Sequence, residues 1–213
     1  MKEELEETLK SEQNFLKTLV KWIVLSALVG SVVGVIASGF AHVISLVTEF
    51  RIGHPFMILG LPLGGMLVVY LYKIGGQEKN SGTNMVLDTV RTPKGKMPSV
   101  IAPLILIATT VTHMFGGSSG REGAALQFGA SVGSFFGRIL KLNESDRKII
   151  MLSGMSAAFA ALFGTPMAAA IFPIEVTSVG VMYYGALVPC VFSAFIGEYV
   201  SVLLKVRTLK IPY

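Results

Sequence analysis

The chain has 213 residues, of which 52% are hydrophobic and only 15% are charged, with a net charge of +5 and a mean hydropathy of +0.66. Because a soluble globular domain carries about 25% charged residues, the composition argues against that class and predicts an integral membrane protein. The basic residues lie in short clusters between apolar segments, as in cytoplasmic loops, so no nucleic-acid partner is predicted.

The N-terminal segment, residues 1–21, carries charges of both signs and has apolar residues at nearly helical spacing. A cleaved signal peptide would instead begin with a short basic stretch and a short apolar core. We therefore predict a polar helix at the cytoplasmic surface for residues 1–21 and one membrane domain for residues 22–213. Cys190 is the lone cysteine and lies in an apolar stretch, which predicts a buried structural thiol.

The first long apolar run covers residues 22–47. At ~1.5 Å rise per residue it exceeds the ~30 Å hydrocarbon core, so it predicts a tilted spanning helix. Gly30 and Gly34 form a small-residue face on it for close helix packing. The apolar segments predicted after it, in chain order, are 56–72, 83–90, 98–115, 124–140, 149–163, 167–176 and 179–204.

Several of these later segments are too short to cross a bilayer and are interrupted by glycine or proline. Broken helices whose N-termini point inward mark the substrate site in many secondary transporters. The predicted fold class is therefore all-α, a polytopic membrane protein with broken and re-entrant helices. Gly129, Gly133 and Gly137 repeat every four residues and predict a close helix–helix seam, and Asn143 or Ser145 is predicted to cap the helix that follows.

A glycine-rich break at residues 116–129 reads Gly-Gly-Ser-Ser-Gly-Arg-Glu-Gly-Ala-Ala-Leu-Gln-Phe-Gly. A charge at bilayer depth costs several kcal/mol, so Glu122 there indicates a functional site. Glycines allow close backbone approach, and the N–H groups at a helix N-terminus attract anions. We predict an anion site with Glu122 as a protonatable gate; the alternative is that Glu122 only pairs with Arg121 as a structural link. The residues predicted to form this part of the anion site are Gly120, Arg121, Gly123 and Ala124, and Arg121 is predicted to orient the glycine-rich segment.

An enzyme is not predicted. Ser118 and Ser119 resemble the serine motif of intramembrane proteases, but all three histidines precede them in the chain. The glycine-rich break also lacks the Gly-Lys-Ser/Thr of a phosphate-binding loop, and cysteine and histidine do not cluster as metal ligands. We therefore predict no metal and no cofactor.

Two motifs about 40 residues apart, Gly-Arg-Glu-Gly at 120–123 and Gly-Thr-Pro-Met-Ala at 164–168, resemble those of the CLC family of anion channels and proton-coupled anion exchangers. The resemblance covers roughly residues 80–200. It implies that Glu122 is the extracellular-side gate and a proton acceptor, whose carboxylate competes with the anion for one helix N-terminus. It also implies a homodimer and anion contacts at a second helix start, where the family has Gly-Ser-Gly-Ile-Pro. The matching residues here are Gly82, Thr83, Asn84 and Met85, with Thr83 at the serine position. The alternative is that residues 80–84 are only a polar turn with an asparagine cap.

Two departures from the family pattern bear on which branch of the family the chain resembles and which halide it is expected to transport. The internal proton-carrying glutamate of chloride/proton exchangers is Val176 here, and the serine is Thr83, which favours the bacterial fluoride/proton antiporter branch. The resemblance to that branch implies a bacterial inner or plasma membrane. Glu175 is then a structural acid at a helix end. Family members consist of two inverted halves, and the chain matches the first half only. We therefore expect halide transport, with fluoride favoured over chloride; the alternatives are a chloride channel or chloride/proton exchanger, and a non-conducting half that needs a partner chain.

Overall fold

The computed structural model describes residues 2–92, 97–177 and 182–206, and the side chains of residues 2–12 and 14 lie outside that description. These ranges contain eight α-helices and no β-strand, which confirms the all-α prediction. The helices are α1 (Lys2–Gly53), α2 (Leu61–Ile74), α3 (Thr83–Arg91), α4 (Ile101–Met114), α5 (Arg121–Ile139), α6 (Glu144–Phe163), α7 (Pro166–Val176) and α8 (Leu187–Leu203), with 3-10 helices at Pro55–Gly60 and Tyr184–Ala186.

Helix α1 continues through residue 21 without a break, so the proposed surface helix and the first spanning segment form one helix. Near that point Lys21 pairs with Asp146, in the first turn of α6. The position of residues 1–21 at a membrane surface stays a prediction.

Three helical stretches of the described residues are long and apolar enough to cross a membrane: Phe15–Gly53, Pro55–Ile74 and Tyr184–Leu203. The last of them begins later than the predicted 179–204 segment, whose first residues lie outside the described ranges. Within the predicted segment 56–72, Pro62 lies in the first turn of α2, where its missing N–H costs nothing. Residues Pro55–Gly60, just before α2, form a 3-10 helix, so the predicted segment 56–72 is broken near this proline.

Helix α6 lies at the centre of the fold and packs against α1, α5, α7 and α8. Its contact with α5 is close because glycines face it. A Cβ on Gly129 would lie 2.6 Å from the Gly154 carbonyl oxygen, and one on Gly133 would lie 2.5 Å from the Ile150 oxygen. The predicted small-residue seam is therefore confirmed, with Gly154 as its partner on α6.

The α1–α8 contact uses the other predicted small-residue face. Cβ atoms on Gly30 and Gly34 would lie 2.9 Å and 3.0 Å from the carbonyl oxygens of Ser193 and Gly197. Ser193 also donates a hydrogen bond of 2.7 Å to the Ser153 oxygen, which ties α8 to α6. Such interhelical hydrogen bonds stabilise apolar packing that the hydrophobic effect alone does not drive in a bilayer.

The α6 N-terminus resolves the choice between two predicted caps. The Asn143 side chain accepts a hydrogen bond of 2.8 Å from the Asp146 N–H, so Asn143 is the capping residue.

Cys190 is fully buried in α8, as predicted for a structural thiol.

Candidate functional site

The first turns of α3 and α5 lie next to each other. Thr83, the first residue of α3, places its Oγ1 3.2 Å from the position that a Cβ on Gly123 would occupy. Neither helix has a side chain that caps its N-terminus, so the first N–H groups of both lack side-chain partners there. Because each N-terminus carries about half a positive charge, the convergence creates an electropositive point lined by backbone N–H donors and one hydroxyl.

Gly82 precedes α3 with φ +66, a backbone conformation that favours glycine. The turn before it is fixed by Asn80, whose Oδ1 accepts a hydrogen bond of 2.7 Å from the Gly82 N–H. These residues therefore do form a polar turn with an asparagine, as the alternative stated. The same turn also places Thr83 next to Gly123. The asparagine of that turn is Asn80, and its side chain bonds to the backbone two residues on, as asparagine commonly does in turns.

Glu122 lies in the first turn of α5, because the helix begins at Arg121 and not at the predicted residue 124. Its side chain is exposed. The carboxylate folds back over the helix start, with Oε2 2.7 Å from the position of a Cβ on Gly120. Gly120 therefore makes room for the carboxylate, which sits at the favourable positive end of its own helix.

Arg121 faces a different part of the fold from Thr83. It lines a cavity of about 670 Å³ together with His42 and Glu49 of α1, and with Lys205 after α8. Within the described residues Arg121 makes no hydrogen bond to the glycine-rich segment and no ion pair with Glu122. The structure therefore gives no support to Arg121 as the residue that orients this segment, nor to the alternative of a structural Arg121–Glu122 link.

The remaining predicted site residues differ in their surroundings. Ala124 is buried, as expected beneath a packed helix start. Asn84 is exposed, and Met85 packs against the hydrophobic core. Of the predicted anion-site residues, the structure places Thr83 and Gly123 in direct proximity, with Gly82 and Gly120 at the two helix starts.

Gln127 belongs to the same region, although the sequence analysis gave it no role. It is 5% exposed, and its Nε2 donates a hydrogen bond of 3.3 Å to the Gly123 carbonyl oxygen. Its Oε1 is buried and has no hydrogen-bond partner among the described residues. The signal in the sequence was a glutamine one helical turn after Gly123, on the same helix face.

The fold and these helix N-termini define a class: a polytopic membrane protein with broken helices, two of which begin close to one point. A profile of the family described as "Voltage gated chloride channel" matches residues 64–209, and the chain belongs to this CLC family.

Relatives and solved structures agree with that assignment. A "Chloride/fluoride channel protein" of Pseudomonas syringae pv. tomato is 37% identical over 88% of this chain and 42% of its own length. An "H(+)/Cl(-) exchange transporter" of Salmonella arizonae is 24% identical over 75% of this chain and 37% of its own length. The structure of a CLC-type fluoride/proton antiporter superposes with a TM-score of 0.85 and 32% identity, covering 92% of this chain and 49% of that one. A slow cyanobacterial Cl⁻/H⁺ antiporter has the same fold, with a TM-score of 0.66 and 22% identity, over 84% of this chain and 46% of that one.

The chain spans less than half the length of the curated relatives described above. It corresponds to the N-terminal half of a CLC protein, as predicted.

Proposed function

We propose that the chain contributes the N-terminal half of a halide transport site, in which an anion binds where α3 and α5 begin. The observation that supports this most strongly is the approach of Thr83 to Gly123, because it joins two uncapped helix N-termini at one point. An anion there accepts hydrogen bonds from backbone N–H groups and from the Thr83 hydroxyl, and both helix dipoles stabilise its charge.

We further propose that Glu122 is the protonatable gate. When ionised, its carboxylate competes with the anion for the α5 N-terminus, and when neutral it leaves that place to the anion. One side chain then links the movement of protons to the movement of anions. The exposed position of Glu122 and the absence of an ion pair with Arg121 in the described residues support this role, because the side chain is not held by a second charge.

Fluoride is the halide that we propose first, with chloride second. The chain has Val176 where chloride/proton exchangers of the family are expected to carry a second acid. The names of two similar proteins, a chloride/fluoride channel protein and a fluoride/proton antiporter, agree with this choice.

The test of the proposed function is halide efflux from liposomes that contain this chain, loaded in turn with fluoride and chloride and followed with ion-selective electrodes. We expect fluoride to leave faster than chloride and protons to move in the opposite direction. Equal leakage of both ions without proton movement would contradict the proposal of coupled transport.

Replacing the hydroxyl at the α3 N-terminus tests the anion site itself. A hydrogen bond to a charged group contributes about 1.5–3 kcal/mol, so Thr83→Val is expected to weaken fluoride binding about ten- to hundredfold. Isothermal titration of the purified protein measures this change. Thr83→Ser keeps the hydroxyl and serves as the control, with binding within about threefold of the original value. Unchanged fluoride binding in Thr83→Val would show that the Thr83 hydroxyl does not contact the anion and that Thr83 has only a structural role in the turn.

A second candidate is a non-conducting half that acts only with a partner chain, and one observation favours it. The span Pro55–Ile74 is apolar, yet only 6% of its most apolar window is buried. Exposed side chains there include Phe56, Leu59 and Val69, which suit either lipid or a second protein surface. If folded chain alone moves neither halide, and flux appears only after a complementary CLC half is added, this candidate is correct.

Chemical cross-linking in the same liposomes tests the proposed homodimer.

A further inference from the structure

Gln127 presents a hydrogen-bond acceptor next to the proposed anion site. Its amide nitrogen donates to the Gly123 oxygen at 3.3 Å, and Gly123 is the residue that Thr83 approaches. The amide oxygen is only two covalent bonds from that nitrogen, so it also lies beside the first turn of α5. This oxygen is inaccessible to solvent and unpaired within the described residues, in a side chain that is 5% exposed.

The polarity of this unpaired atom limits what it can bind. A carbonyl oxygen accepts hydrogen bonds and repels an anion, so it does not serve as a halide ligand. A buried acceptor without a partner is destabilising, which favours a partner in at least one working state. Exchange of the amide oxygen and nitrogen would set two oxygens against each other at Gly123, so the observed orientation is the favourable one.

The Thr83 hydroxyl lies beside Gly123 but does not pair with this oxygen. In the first turn of α5 the side chain that becomes a donor by gaining a proton is Glu122, whose carboxylate now lies folded over Gly120. The next polar residue along this face of α5, Ser131, is already engaged, since its hydroxyl donates to the Pro98 oxygen at 2.7 Å. The chain also has Val176 where an internal acid would otherwise receive the proton.

We propose that Gln127 is a positioning residue for the proton: its Oε1 accepts a hydrogen bond from the neutral carboxyl of Glu122 when the gate leaves the α5 N-terminus. The acceptor stabilises the protonated gate in an inward position, while the same amide holds the Gly123 carbonyl through its nitrogen. This inference rests on the proposed function, since it assigns a partner to the proposed gate.

Other titratable groups near this site bear on any test by pH. The elements that pack against α5 carry Glu49 and His42 on α1, Asp88 on α3 and His113 on α4, while α6 carries its charges in its first turns, beside the far end of α5. His113 is engaged through its Nδ1 with the Thr109 oxygen at 2.9 Å. Because these groups remain unchanged in a Gln127 variant, a change in pH dependence reports on the Glu122–Gln127 pair.

The first test compares the pH profile of fluoride efflux for the unmodified protein, Gln127→Met and the control Ser131→Ala. Methionine keeps the length of the side chain and removes the acceptor. The neutral gate loses about one hydrogen bond, so the midpoint of the profile is expected to move down by about 0.5–1 pH unit. Ser131→Ala is expected to keep the original midpoint. A uniform loss of rate at every pH in Gln127→Met would overturn the proposal, because it would indicate a packing role only.

The second test needs no transport and separates this inference from the proposed function. Infrared difference spectra between high and low pH identify the neutral carboxyl band of Glu122 by its absence in Glu122→Gln. We expect this carboxyl band to shift to higher frequency in Gln127→Met. In the unmodified protein, we expect the amide band of isotope-labelled glutamine to shift when Glu122 is protonated. If the protein moves no halide but both shifts occur, the proposed function fails and the pairing stands. If neither band responds, the pairing is wrong whether or not halide moves.

Discussion

Glu122→Gln is expected to lower the rate of proton-coupled fluoride efflux at least about tenfold, which corresponds to about 1.4 kcal/mol. Glutamine keeps the size of the side chain but neither ionises nor accepts a proton at neutral pH. It therefore cannot alternate between competing with the anion at the α5 N-terminus and leaving it. The measurement is fluoride and proton flux from the same liposomes, recorded together with an ion-selective electrode and a pH electrode.

The matched control for this variant is Glu49→Gln. Glu49 is an exposed acid on α1 that lines the cavity beside Arg121, so its removal changes the charge near the same helix start by the same amount. We expect its flux to stay within about twofold of the original, because it is not in the first turn of α5 and experiences little of that helix dipole. Equal losses in both variants would mean that general electrostatics, and not a gate at Glu122, governs the flux.

Gly154→Ala is expected to produce the largest loss of stability. A Cβ on Gly154 would lie 2.3 Å from the Gly129 carbonyl oxygen, and the atom in the way is backbone, which cannot rotate aside. Overpacking of this kind costs about 1–3 kcal/mol, and α5 must move away from α6 to relieve it. For a chain of this size the melting temperature should fall by about 2–4 °C per kcal/mol, measured by thermal unfolding in detergent.

Gly39→Ala is the control for that substitution. Gly39 is also a helical glycine in a spanning segment, but nothing lies within 4 Å of a Cβ added there. Alanine is the better helix former by about 1 kcal/mol, so the melting temperature is expected to stay level or rise slightly. If the melting temperature falls as far as in Gly154→Ala, any added methyl group destabilises the protein, and the close α5–α6 contact does not explain the effect at Gly154.

Much of the fold follows from local patterns. The four-residue spacing of Gly129 and Gly133 predicted a close helix contact, and the structure supplies Gly154 as the opposite surface. Helix boundaries were less predictable: α5 begins at Arg121, and α1 continues where a division at residue 21 was expected. Arginine and glutamate are good helix formers, but the glycines and serines that surround Arg121 and Glu122 predict a break, so their helical state depends on the packing of the whole helix.

The sequence by itself determined the membrane class, the broken helices and the presence of Glu122 at a glycine-rich helix start, because composition, periodicity and glycine position act locally. Only the tertiary structure decided that Thr83 approaches Gly123 across about 40 residues, since that contact depends on how α3 packs against α5. It also decided that Arg121 faces α1 and that the Gln127 oxygen is left without a partner. Side-chain direction and burial arise from long-range packing, which one segment of sequence does not encode.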